Sequence, residues 1–284
     1  MAAPPPPANQ FVYIDAAALH SVLPFPSLIS HLGAGLPAFA AGIHCPHRVS
    51  FPLPTAPSAS LLLMPSWSAH PSLPYLALKA VTSFPANSPR LPSVHAAVSL
   101  FDSASGVPLA SLDGSALTLL RTAAAKSAAL AARLRDAHPG VAVEEADSMD
   151  EAVSAADVVS CATGSQEPIV RGELLKPGAH LDLVGSFTPA MRECDDEALR
   201  RGRVFIDFEA AMQEAGELVG ALQRGVLRRE DVAGTLAELA AGSVAGRRCD
   251  DEITVFKSVG TAVVDLLAAQ LAYETYIATT TKKT

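Results

Sequence analysis

Three apolar runs, Asp157–Thr163, Ala179–Ser186 and Arg203–Phe208, recur with helix-length, polar-faced segments between them. Continuous rather than alternating apolar runs suit strands buried on both faces. Strands separated by crossovers of this length build a parallel sheet, because an antiparallel pair would need only a tight turn. Ligands of such sheets sit at the carboxyl ends of the strands. Here those ends are Thr163-Gly164-Ser165 and Gly185-Ser186-Phe187. Val141–Glu145 reads as a preceding strand and Met149–Ala155 as a short helix. Glu209–Ala221 and Arg229–Ala241 read as two outer helices. Asp251–Phe256 leads through Lys257-Ser258-Val259-Gly260 into a long apolar helix reaching about Tyr273.

The first part of the chain is written differently. Val49–Phe51, Leu61–Trp67, Leu76–Phe84, Ala96–Phe101 and Val107–Leu112 are strand candidates separated by Pro, Ser, Asn and Gly turns, which predicts an antiparallel or mixed sheet. Lys79 lies inside an otherwise apolar strand; it either snorkels outward or is buried with a partner. Pro26–Leu32 reads as a short helix. The following Gly33-Ala34-Gly35-Leu36-Pro37-Ala38 matches GxGxxA, but no strand precedes it, so a helix end and loop are expected rather than a dinucleotide loop. His44-Cys45-Pro46-His47 has no fourth metal ligand at a recognised spacing, so no metal site is expected. Met1–Gln10 reads as a mobile tail without signal-peptide character, and Thr279–Thr284 as a frayed end.

With 284 residues, 49% apolar and 18% charged, the chain can bury one large core or two ordinary ones. A net charge of −8 argues against nucleic acid or an anionic membrane as the main partner. The longest apolar runs are too short to span a bilayer. Four cysteines, Cys45, Cys161, Cys194 and Cys249, are widely spaced, the usage of a reduced intracellular protein. The expected address is cytoplasmic, with the chloroplast stroma as the alternative.

Between the two halves, Leu117–Leu134 is a helix by propensity, dominated by Ala and Leu and holding Arg121 in its first half. The downstream acids Glu193, Asp195 and Asp196 read as a helix N-terminus favoured by the dipole.

Several segments together resemble one family: Leu61–Trp67, Leu112-Asp113-Gly114 with Leu120-Arg121-Thr122, Leu175–Leu181 with Val184-Gly185-Ser186, and Thr254–Gly260. They resemble the ornithine cyclodeaminase/mu-crystallin family. Met64–Trp67, Ser160–Thr163, His180–Phe187 and Gly216-Glu217-Leu218 are similar to the plant ketimine reductases of that family, which form pipecolic acid. The resemblance covers about residues 11–276. It implies an α/β enzyme with a mixed-sheet substrate and dimerisation domain (11–121 with 257–278) and a Rossmann-type parallel-sheet domain (122–256). The implied partners are a second copy, in a homodimer, and a small cyclic imine carboxylate such as 1-piperideine-2-carboxylate. The implied cofactor is NADPH or NADH. By resemblance Arg48, Lys79 and Arg121 hold the substrate carboxylate, with Lys79 and Arg121 also catalytic. Thr122, Cys161, Ala162, Thr163, Val184, Gly185, Ser186, Ser258 and Val259 contact the cofactor. Cyclodeaminases of the family carry an Asp where this chain has Phe187, which argues for imine reduction over ornithine cyclisation, since a phenyl ring moves no protons.

The resemblance also marks a seam. Family members follow the Arg121 helix with the first Rossmann strand and its Gly-rich loop. Here Arg121–Ala125 runs directly into Lys126–Leu134, which resembles the helix after the second strand. About 50 residues, the size of one β-α-β step, are missing at that point. The Rossmann-type domain is therefore incomplete. Two expectations follow: a ketimine reductase, or an inactive deletion form that at most binds small carboxylates or pairs with a full-length partner.

Overall fold

The computed structural model describes residues 11–39, 42–54, 56, 58–68, 70–87, 91–121 and 146–281. The chain divides into two compact units, 1–123 with 261–284 and 124–260. The crossing back into the first unit thus comes at Thr261, and Lys257, expected with the first unit, belongs to the second.

In the first unit, β1 (Val12–Ile14) is followed by α1 (Ala16–Val22), α2 (Phe25–Phe39), β2 (Ile43–His44) and β3 (Val49–Pro52). Then come β4 (Ser60–Ser68), β5 (Tyr75–Ser83), β6 (Val94–Asp102), β7 (Pro108–Asp113) and α3 (Gly114–Arg121). The strands form one mixed sheet in the order β1-β7-β6-β5-β4-β2, with β3 also on β4. Only β1, which pairs with β7, is parallel to its neighbour. Alternation along β5 buries Tyr75, Ala77 and Lys79 on one face. Asp113 turns the chain from sheet to helix by accepting from Ala116 N–H (2.9 Å). Gly114 is required there: a Cβ would lie 2.7 Å from the Ala96 carbonyl carbon.

The second unit runs α4 (Met149–Ala155), β8 (Val158–Cys161), β9 (His180–Leu183), α5 (Asp196–Arg201), β10 (Arg203–Ile206), α6 (Ala211–Glu214), α7 (Gly216–Gln223), β11 (Gly234–Thr235), α8 (Leu236–Ala241) and β12 (Thr254–Lys257). All five strands are parallel, in the order β11-β10-β12-β9-β8. Leu181, Leu183, Val204, Ile206 and Val255 are fully buried at its centre. The five strands form one contiguous sheet, and β8 is its edge strand among the described residues. The chain then returns to the first unit as α9 (Ala262–Thr281), whose inner side packs on β4, β5 and β6.

Several local expectations change. Helix α2 winds on through Gly33, Gly35 and Pro37 to Phe39, because burial of Leu28 and Leu36 and packing on α9 outweigh weak local propensity. The expected helix over 209–221 breaks at an extended Ala215, where Gly216 N–H donates to Ser186 Oγ (3.1 Å). The expected helix over 229–241 is a 3-10 turn, an edge strand and a short helix, since Thr235 and Glu238 form a capping box that starts α8 afresh. The central helix is described only to Arg121; its continuation to Leu134 and the strand Val141–Glu145 lie outside the described residues. No described helix is long and apolar enough to cross a membrane.

Leu181→Ala, in the buried middle of β9, is expected to lower stability by about 2–5 kcal/mol. Val158→Ala, at a position 61% exposed on β8, should stay within about 0.5 kcal/mol. Urea denaturation of the two variants checks the contrast.

Candidate functional site

The first unit buries a lysine with its counter-ion. Lys79 is 3% exposed, so of its two alternatives the structure selects burial with a partner. Its ammonium donates to Thr118 Oγ1 on α3 (2.8 Å) and to Asp265 Oδ1 on α9 (3.1 Å). Thr118 in turn donates to Gly114 carbonyl (2.6 Å), which fixes its lone pairs towards Lys79. Asp265 is 1% exposed, so the pair is a buried ion pair whose Coulomb attraction offsets two desolvation costs. Lys79 pairs with Met64 across β4, and Val49 pairs with Leu63; Arg48, just before β3, therefore stands one strand beyond β4 at the same level. Arg121 closes α3 one turn after Thr118. The fold thus brings Arg48, Lys79 and the Arg121 backbone to one region of one unit. The Arg121 side chain lies outside the described residues, as does Thr122.

In the second unit the carboxyl ends of β8, β9 and β12 lie side by side, since these strands are neighbours. Cys161, Ala162 and Thr163 end the first, Val184, Gly185 and Ser186 the second, and Ser258 and Val259 the third. Burial pushes the Cys161 thiol up to about 12, with the Glu193 carboxylate adding to the shift, which keeps it in the thiol form at neutral pH. Gly185 has no room for a side chain, because a Cβ would collide with the Thr163 carbonyl oxygen.

Two buried carboxylates hold these ends. Glu193 Oε1 accepts from Thr163 N–H (2.6 Å), while Oε2 accepts from Gly185 N–H (2.7 Å) and Ser186 N–H (3.3 Å). The expected helix N-terminus holds for Asp195, the cap that accepts from Ala198 N–H, and for Asp196 in the first turn of α5, but not for Glu193. Asp207, at the end of β10, accepts from Ser258 Oγ (2.7 Å), Val259 N–H (3.0 Å) and Gly260 N–H (2.8 Å) through Oδ2. Burial raises the Asp207 carboxyl above its usual value, partly countered by these donors. Lys257, fully buried at the end of β12, lies 3.7 Å from Glu193 and 3.2 Å from Glu217.

The sequence profile of the ornithine cyclodeaminase/mu-crystallin family matches residues 16–134 and again 126–280. The chain belongs to this family. It is 42% identical over 319 residues to Protein SAR DEFICIENT 4 of Arabidopsis thaliana, covering 94% of this chain and 98% of that one. It is 32% identical over 299 residues to the ketimine reductase mu-crystallin of Mus musculus, covering 88% and 92%. Among solved structures, the Thermococcus litoralis Delta(1)-pyrroline-2-carboxylate reductase in complex with NADH and L-proline is similar, with a TM-score of 0.86 and 25% identity over 93% of this chain and 97% of that one. The family match ends and restarts at 126–134, where the sequence marks its seam. In the 319-residue alignment, 94% of this chain's 284 residues fill only about 267 positions, so about 50 positions of the Arabidopsis protein have no counterpart here.

Sequence reasoning missed Glu193 as a clamp, Asp207, Lys257 and Glu217. Lys257 carried the same signal as Lys79, a lysine inside an apolar strand. Glu193 was concealed by standing among acids at a helix start. Among the described residues no cluster of three or more His, Cys, Asp or Glu could hold a metal ion, His44-Cys45-His47 included.

Asp265→Leu, which removes the carboxylate beside the buried Lys79 ammonium, should cost about 3–5 kcal/mol; the double variant Lys79→Met/Asp265→Leu should recover most of it. A thermal and urea double-mutant cycle measures both. In the native protein a maleimide should label exposed Cys249, while buried Cys161 and Cys194 should react only after denaturation, read by mass spectrometry of peptides.

Proposed function

We propose that this chain is a ketimine reductase. It reduces a small cyclic imine bearing a carboxylate next to its C=N bond, such as 1-piperideine-2-carboxylate, to the cyclic amino acid with NADPH or NADH, a step of pipecolate metabolism. The observation that carries this reading is the buried Lys79, held by Thr118 and Asp265 in the unit that also places Arg48 and ends α3 at Arg121. A fully buried lysine on a sheet face is costly and serves recognition of an anion better than it serves packing. Because Asp265 offsets the Lys79 charge, the guanidinium of Arg48 or Arg121 supplies the net positive charge for the carboxylate, in bidentate geometry. Lys79 then orients that carboxylate against the sheet and fixes the imine carbon. A protonated iminium is already electrophilic, so the site needs no strong acid. The nicotinamide cofactor, when bound, supplies hydride.

The fit of the described residues to that cofactor is to one end of it. The N–H groups of Thr163, Gly185, Ser186, Val259 and Gly260 are spent on Glu193 and Asp207. What these loops turn outward is uncharged: Ala162, Thr163 and Gly164 after β8 and Phe187 after β9. Such a surface suits the nicotinamide ring, whereas a diphosphate asks for free N–H groups at a helix N-terminus. Phe187, in place of an Asp, disfavours ornithine cyclisation. The relatives' names support imine chemistry. A homodimer formed through the first unit, and a cytosolic or plastid-stromal address, complete the proposal.

A second reading is favoured by the seam at 126–134 and the roughly 50 unmatched alignment positions. In it the chain has lost dinucleotide binding and keeps at most a carboxylate site or a pairing surface.

Purified protein given a cyclic ketimine should consume NADPH, followed by its near-ultraviolet absorbance. Lys79→Met should lower kcat/KM for the imine by about 10- to 100-fold, the worth of one charge-assisted contact. No turnover, together with no NADPH or NADH binding in calorimetry, would decide for the second reading.

A further inference from the structure

Glu193 is held through both its backbone and its side chain. Its own backbone carbonyl accepts from Ile169 N–H (3.1 Å) and Val170 N–H (2.9 Å), so the residue is pinned before its side chain makes any contact. Its carboxylate then reaches the loops after two adjacent strands at once, Thr163 after β8 and Gly185-Ser186 after β9. Ser186 extends the tie: its hydroxyl donates to Met191 carbonyl (2.8 Å) and accepts from Gly216 N–H (3.1 Å) at the start of α7. Behind Glu193, Lys257 bridges to Glu217 on α7. Glu193, Glu217 and Lys257 are all fully buried.

Two acids and one base buried together are an expensive way to fill space, since packed apolar side chains are as good or better for stability. The chemistry says what the carboxylate is for. Three converging N–H donors and an ammonium need an acceptor with two oxygens and no proton of its own. A glutamine could offer only one acceptor oxygen and would turn its own N–H groups on the backbone donors. The loops so held carry Ala162, Thr163, Val184, Gly185 and Ser186. We propose that Glu193 is a positioning residue for the dinucleotide: it locks the loops after β8 and β9 in the arrangement that receives the nicotinamide end, with Lys257 and Glu217 holding Glu193 itself. This rests on the reductase reading above. Glu193 touches neither hydride nor imine; it acts through the loops, which lose their freedom before the cofactor arrives and so do not charge that entropy to binding.

The test compares full-length wild type with Glu193→Asp and Glu193→Gln. Glu193→Asp keeps the charge facing Lys257, and with it the fold, but is one methylene too short to serve both loops. Hydrogen exchange by mass spectrometry should rise about tenfold in peptides covering 162–165 and 184–187, and stay unchanged in the first unit, as expected for losing one charged hydrogen bond. The Kd for NADPH should rise about tenfold by calorimetry while KM for the imine stays within about twofold. Glu193→Gln should move both readouts further. Unchanged exchange in folded variants, or exchange that rises across the whole chain, overturns the proposal. So does faster local exchange with an unaltered Kd, which leaves the reductase reading standing. Wild type that binds neither nicotinamide dinucleotide overturns the reductase reading itself, and the positioning role with it.

Discussion

A carboxylate sealed away from water must find donors, and in this chain Glu193 finds three backbone N–H groups, with the Lys257 ammonium 3.7 Å away. Much of the second unit's working end follows from that requirement. Gly185 has to be glycine because the β9 loop is drawn hard against Thr163. The helix after β10 has to break at Ala215 so that Gly216 can reach Ser186. Asp207 repeats the device one layer over, gathering Ser258, Val259 and Gly260 behind β12. Together the two acids order all three strand ends that family resemblance assigns to the cofactor.

The first unit uses buried charge to a different end. Lys79 and Asp265 neutralise one another within a sheet-and-helix core, and Thr118 fixes the geometry. A neutral pair of this kind orients more than it attracts. One rule thus governs both units: a buried ion survives only where hydrogen bonds define its place, and a group with a defined place can direct chemistry.

The parallel sheet described in the second unit runs from β11 to β8. The family match breaks and restarts at 126–134, ahead of β8 in the chain. In such folds a dinucleotide is met at the carboxyl ends of the strands. The core of the described sheet is built from β8 to β12 alone, which is why folding and cofactor binding are separate questions for this chain.

The sequence by itself determined the fold class, the mixed and parallel sheets, most strand positions, the seam, and the family with its cationic residues. Apolar periodicity and strand spacing are local properties, and the motifs are written in contiguous residues. It also showed Lys79 to be anomalous without saying how the anomaly is resolved. Only the tertiary structure decided that, because Thr118 and Asp265 stand far away in sequence and come beside Lys79 on two different helices. Only it separated Glu193 from Asp195: two acids two positions apart, one capping a helix and one holding two loops. The path of α2 through Pro37 and the break at Ala215 were likewise set by burial and by a distant serine, against local propensity. A cost that is settled by partners remote in the chain leaves no pattern in the residues that bear it.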